Sequence, residues 1–353
     1  MRTHSEKSLR LTGLISSNRP ENIIRTLEYP DKQPAFSLFA RRRTSTQDAI
    51  ISLADQGTRK TATVTFHSKS EKTRSLNSLH GIANADDVFD GLTVVHSACQ
   101  PVVDICAIHG LNGNAFDTFT ENTTMWLRDL LPREKEFRTA RIMTFGYASH
   151  IVDRTNRSGL EQWADSLLHS LVRTRSSLEE RDRPMIFICH SLGGLVAREA
   201  MIRLQGNSQF DDVIDIYKCG IMFLATPHSG TSLADWNKLL KLSVQAVGVR
   251  KDLLNILSTS DEQAEQKRTA FMQLPVTFCC MHETRKTSIG FLQKSIIVSK
   301  ESAGLPDHEA IPVENTDHHT ICRCKNANSP SYRLIIRELR SLKDKLCSDS
   351  PER

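Results

Sequence analysis

The chain has 353 residues, 39% hydrophobic, 25% charged and 6% aromatic, and its 46 Lys and Arg against 41 Asp and Glu give a net charge of +5. That length buries a full core without metal or disulfide staples, and 16 glycines with 12 prolines exclude a fibrous or low-complexity protein. So mild a positive charge lacks the concentrated basic face of a nucleic-acid binder, and no run of 18 apolar residues provides a spanning helix.

Taken in chain order, residues 1–82 read as a small α+β module. Arg2, Lys7, Arg10, Arg19 and Arg25 give its start a basic surplus of the kind a mitochondrial targeting segment carries, which Glu6 and Glu21 interrupt; the apolar stretch of a signal peptide is missing. Residues 9–14 alternate apolar and polar like a half-buried strand, 21–27 suit a short helix, and 36–39 and 61–66 are further strands. Residues 41–47 and 68–78 are polar connections, and 83–98 is expected as a linker.

Beyond it the texture becomes α/β. Apolar runs at 102–108, 142–145, 185–189, 220–224, 276–281 and 310–313 alternate with helical patterns at 161–173, 194–204, 232–257 (continuing to 274) and 332–346. Such alternation builds βαβ units and a mostly parallel sheet. Residues 99–346 are expected to form one α/β domain, with 231–274 as a cap and 347–353 as a tail. In the cap, Trp236, Leu239, Leu240, Leu242 and Val247 suit either an apolar wall for an acyl chain or a helix covering the sheet. Nine cysteines, odd in number and irregular in spacing, stand partly inside the apolar runs, as Cys106 and Cys189 do. Buried free thiols of a reducing compartment behave so, and an intracellular, non-secreted protein is expected.

The run ending in Cys189-His190-Ser191-Leu192-Gly193-Gly194 enters a helix at once, the strand–turn–helix context of a nucleophile elbow. Ser191 is the nucleophile expected there. Small residues around it let strand and helix pass closely, with Cys189 where glycine is usual. A serine nucleophile needs an oxyanion hole. The expected donors are the backbone N–H groups of Leu192, next after the serine, and of Leu111, inside the turn His109-Gly110-Leu111-Asn112-Gly113.

The base must follow the serine, just after the last strand, where His318 and His319 lie; the preceding Asp317 favours His318. The orienting acid belongs at the C-terminal end of a strand. Glu283 closes the run at 276–283 and is the first choice, with Glu301 and Asp317 as alternatives. His318, His319, Cys322 and Cys324 lack the spacing of a zinc cluster, so neither a metal nor a cofactor is expected.

At these residues the chain resembles the serine lipase-like α/β-hydrolases related to serine active site-containing protein 1 and, more distantly, to GPI inositol-deacylase. The matching segments are 107–113, 125–132, 141–147, 187–196, 223–230, His282-Glu283-Thr284, and Asp317-His318 with Ile321-Cys322. The resemblance implies Ser191 as nucleophile, His318 as base and Glu283 as acid. It also implies lipid-related chemistry with mitochondrial or endoplasmic-reticulum association, and a ferredoxin-like unit ahead of the hydrolase domain. Asn112 replaces a frequent glycine, Cys324 a frequent aromatic and Ser229 a frequent arginine; none of these removes a catalytic atom. Residues 59–66 resemble an RNA-binding RRM strand, but Thr61 and Thr63 stand where stacking needs aromatics, so a packing or docking role is expected for the module and no nucleic-acid partner.

The expected activity is hydrolysis of an acyl-ester or lipid substrate, with peripheral contact to an anionic membrane surface suited by the mild positive charge. Amide or thioester hydrolysis would use the same residues. A catalytically silent interaction module is the alternative of a different class.

Overall fold

The computed structural model describes residues 3–15, 17–21, 23, 49–79, 84–149, 159–205, 210, 214–228, 261–289 and 293–348. In the N-terminal unit, strands β1 (Ser8–Ile15), β2 (Ile50–Gln56), β3 (Arg59–Thr65) and β4 (Asn84–Asp86) form an antiparallel sheet ordered β2-β3-β1-β4. Helix α1 (Lys69–Leu79) joins β3 to β4. That order is the split β-α-β arrangement of a ferredoxin-like unit. Leu9, Leu11, Ala62, Val64, Phe66 and Leu79 make its small core.

Two parts of this unit differ from the sequence expectation. The polar stretch at 68–78 is helical, and its buried side chains, Lys72, Ser75 and Leu79, are spaced for one helix face. Two leucines, Leu76 and Leu79, among polar residues give no hydrophobic period to read. Strand β2 was not anticipated; Gly57, at φ +61°, turns it back into β3 with Gln56 opposite Arg59. The strand expected at 36–39 and most of the helix expected at 21–27 lie outside the described residues.

Strands β5 (Gly91–Ser97), β6 (Val103–Ile108), β7 (Ala140–Gly146), β8 (Met185–His190), β9 (Cys219–Leu224), β10 (Thr277–Glu283) and β11 (Ile311–Val313) form the main sheet in the order β11-β10-β9-β8-β6-β7-β5. Every neighbouring pair is parallel except β5 with β7. All residues of β6, β7, β8 and β9 are buried, which is why these strands read as continuous apolar runs instead of alternating ones. Helices α2 (Gly159–Thr174), α3 (Leu192–Gln205), α4 (Asp261–Met272) and α5 (Pro330–Ser348) pack around it, α3 on β8 and α5 on β9 and β10. Helix α5 buries Tyr332, Ile335, Ile336, Leu339, Leu342 and Leu346, a stripe at helical spacing. This is the α/β-hydrolase architecture. The expected linker at 83–98 is a correction: β4 completes the first sheet and β5 is the antiparallel edge of the second. No described helix is long and apolar enough to cross a membrane.

The two units share their packing. Ala54 of β2 joins the main core, and the Ser52 hydroxyl donates to the Val95 carbonyl at 3.0 Å. Arg10 donates to the Asp90 carbonyl and the Thr93 hydroxyl. Arg128 donates to the hydroxyls of Thr63 and Thr65 at 3.3 and 3.0 Å. The threonine side of β3, where an RNA-binding strand carries its aromatics, is therefore buried against the hydrolase unit.

Candidate active site

The expected site residues gather at the C-terminal ends of the parallel strands, where open α/β sheets place their sites. Strand β8 delivers Ser191 on a left-handed turn, φ +53°, before α3 begins. That conformation costs a non-glycine residue about 1–2 kcal/mol. It is held by the Ser191 N–H donating to the Leu224 carbonyl at 2.9 Å and the Gly194 N–H to the Ser191 carbonyl at 3.0 Å. A Cβ on Gly193 would stand 2.5 Å from the carbonyl oxygens of both Ile108 and His109, so only glycine lets α3 start this close to β6. Cys189 is buried in the same packing; burial, then the neighbouring thiols of Cys106 and Cys219, push its thiol pKa well above the usual value.

His318 follows β11. Its Nε2 lies 3.0 Å from Ser191 Oγ, and its Nδ1 lies 3.1 Å from Glu283 Oε2. Glu283 ends β10, and parallel pairing sets it opposite Val313, five residues before His318. The other carboxylate oxygen, Oε1, accepts the backbone N–H groups of Ile297 and Val298 at 2.8 and 3.1 Å. The carboxylate at Nδ1 fixes a proton there and leaves the Nε2 lone pair facing the serine hydroxyl. Ser191, Glu283 and His318 are 1%, 1% and 3% exposed, so the chain is shielded from competing water.

The other carboxylates are engaged elsewhere. Asp317 Oδ1 accepts the N–H groups of His319 and Thr320 and the Thr320 hydroxyl, a local cap. Glu301 is an exposed residue in the first turn of the short helix Lys300–Ala303. His319 is exposed, its ring 6.2 Å from that of His318.

Leu192 opens α3 directly after Ser191, and Leu111 stands in the turn after β6. That turn is closed by the Gly113 N–H donating to the Gly110 carbonyl at 3.1 Å. Asn112 adopts φ +52° in it, which explains glycine as the frequent alternative and asparagine as a tolerated one. Gly110, Leu111, Ser191, His190, His318, His319 and Arg323 line one cleft of about 260 Å³.

The sequence reading passes over three residues that hold the base. His190 is buried, and its Nε2–H donates to the His318 carbonyl at 2.7 Å. Burial, reinforced by the electrostatic cost of a second charge beside the His318 ring, drives the His190 pKa well below that of free histidine, so it stays neutral. The His318 N–H donates to the Thr287 hydroxyl at 2.9 Å. Trp126 Nε1–H donates to the Cys322 carbonyl at 2.9 Å. Only the adjacency of His190 to Ser191 was a visible signal.

Cys322 is a buried thiol donating to the Thr118 carbonyl at 3.2 Å, and burial pushes its pKa up to about 12. Among the described residues no three His, Cys, Asp or Glu are arranged to hold a metal. Trp236, Leu239, Leu240, Leu242 and Val247 of the expected cap lie outside the described residues. Within 231–274 the structure describes α4 and residues 273–274, and Phe271 of α4 packs against Phe223 and Phe278.

Residues 104–275 match the family model described as "Putative serine esterase (DUF676)". The esterase family span holds the turn at 109–113 and Ser191; Glu283 and His318 lie beyond it. The chain is 28% identical to protein SERAC1 of Mus musculus over 293 residues, covering 76% of this chain and 44% of that protein. It is also 28% identical to protein SERAC1 of Homo sapiens over 277 residues, covering 71% and 41%. The chain thus spans less than half the length of the curated relatives it matches. Among solved structures, an inhibited esterase B from Lactobacillus rhamnosis is similar with a TM-score of 0.43 and 12% identity, over 70% of this chain and 78% of that one.

Proposed function

We propose that this protein hydrolyses a carboxylic ester through an acyl-enzyme on Ser191. The observation that carries the reading is the buried chain from Ser191 Oγ through His318 to Glu283, with contacts of 3.0 and 3.1 Å. As Ser191 Oγ attacks the carbonyl carbon, His318 Nε2 takes its proton and becomes an imidazolium that Glu283 orients and stabilises. The N–H groups of Leu111 and Leu192, with the N-terminus of α3, face the charge that develops on the carbonyl oxygen. His318 returns the proton to the leaving alcohol; water then repeats the cycle on the acyl group. An acyl-ester of the lipid class is the proposed substrate, on the strength of the family resemblance, and no step calls for a metal or cofactor.

A fluorophosphonate probe tests the reading directly. Labelling that maps to Ser191 and vanishes in Ser191→Ala, together with loss of p-nitrophenyl butyrate hydrolysis, is expected. Folded wild-type protein that neither labels nor turns over the ester would instead mark a hydrolase fold kept for interaction.

A further inference from the structure

Among the described residues, the catalytic cleft is lined by His190, His318, His319 and Arg323, and by no aspartate or glutamate. Arg323 lies five residues beyond His318, on a loop fixed on either side of it. The Cys322 carbonyl before it accepts from Trp126, and Cys324 after it is buried. Its Nε–H is buried without a hydrogen-bond partner. Among the described residues no carboxylate forms an ion pair with it. Asp117, which its charge reaches, has Oδ1 engaged by the Ser5 hydroxyl at 2.6 Å and Oδ2 by the Glu6 N–H at 2.7 Å. The residue is half-buried, so the rest of its guanidinium can face the cleft, and a buried N–H left unpaired is costly while the planar fork matches the oxygen pairs of phosphate and carboxylate. The cation therefore stands in the wall of the cleft that holds Ser191, where a bound molecule can meet it.

We propose that Arg323 is a specificity-determining residue that selects esters bearing an anionic group, phosphate or carboxylate, within reach of the scissile carbonyl. Selection among esters rests on the hydrolase reading above; the anion site itself does not.

Two matched substrate pairs test it: glycerol monobutyrate against its 3-phosphate, and 4-methylumbelliferyl valerate against the glutarate, which adds a terminal carboxylate. Wild type should favour the charged member of one pair, and the pair that responds names the anion. Arg323→Gln should lower kcat/KM for that charged member about 10- to 100-fold more than for its neutral mate, the usual scale for losing a charged hydrogen bond. Arg323→Lys, which keeps the charge, should retain the greater part of the preference and so separates charge from packing.

A binding experiment reads the site without turnover. Ser191→Ala protein is titrated with glycerol 3-phosphate and with glutarate by calorimetry, alone and combined with Arg323→Gln; at least tenfold weaker binding of one anion is expected in the double variant. If both members of each pair fall together in Arg323→Gln, or neither anion's binding depends on Arg323, the inference is overturned while Ser191 labelling still upholds hydrolysis. If Ser191 does not label but anion binding depends on Arg323, the hydrolase reading fails and the anion site stands.

Discussion

The two ends of the central strands hold their charges in opposite ways. At the N-terminal end, Asp104 is fully buried and accepts from Arg141 Nε and Nη2 at 2.9 and 2.7 Å and from Arg183 Nη1 at 2.8 Å, and it pairs with Arg175. Burial pulls the Arg175 pKa below the usual value. For Arg141 burial acts the same way but is outweighed by Asp104 and Glu180, which hold it above. The carboxylate there is saturated, and the cluster ties β6, β7 and the entry to β8 together. At the C-terminal end the partners form a single chain through Glu283, His318 and Ser191, and the serine at its end sits on a strained turn with its hydroxyl facing the cleft. A saturated cluster can only hold; a chain with an open end can pass a proton.

Substitutions at each end should therefore separate rate from stability. Ser191→Ala should lower ester hydrolysis by about four to six orders of magnitude. It should change unfolding free energy by less than about 1 kcal/mol, because the turn and its hydrogen bonds persist. Activity assays and urea unfolding on one preparation check both. Glu283→Gln should lower kcat about 10⁴-fold by removing the charge that orients His318 and stabilises its protonated form. Unchanged kcat in that variant would return the acid's role to Asp317 or Glu301.

At the other end, Asp104→Asn leaves three cations around a neutral amide. A stability loss of about 3–5 kcal/mol is expected from breaking a buried ion cluster, with kcat per folded molecule preserved. A kcat that falls in step with stability would show that the two ends are coupled through β6 and β8.

The smallest effect is a pH dependence. His190 and His228 are buried with pKa values well below the usual one; burial is the main cause for both, aided by His318 for His190 and by Arg198 for His228. The unfolded chain protonates these rings below about pH 6.5 and the folded one does not, so stability is full above that pH and declines as pH falls. The slope is up to about 1.4 kcal/mol per pH unit for each histidine. Urea unfolding between pH 7.5 and 5.5 measures it, and His228→Asn should flatten the slope by one histidine's share. A slope that His228→Asn leaves untouched would assign the acid sensitivity to other groups.

The parts legible in the sequence were those whose causes lie within a few residues. Strands β6, β7, β8 and β9 are buried on both faces and so announce themselves as apolar runs. The elbow is local as well, because a glycine-rich turn between strand and helix is written in six consecutive residues. Strands β2 and β5 and helix α1 went unread because each is stabilised from outside. Helix α1 buries Lys72 against Asp87, and β2 sends Ala54 into the other unit's core.

Composition and local pattern determined the architecture of this protein and the serine that its geometry presents. Only tertiary structure decided which partners meet that serine. His318 reaches it across 127 residues, Glu283 reaches His318 across 35, and His190 reaches the His318 carbonyl across 128. Such bonds depend on strand order and on the parallel register of β10 with β11, and neither leaves a periodicity in the sequence. The same holds for Arg323: its number in the chain says nothing of its place in the cleft or of its unpartnered Nε, beside which Asp117 gives its oxygens to Ser5 and Glu6.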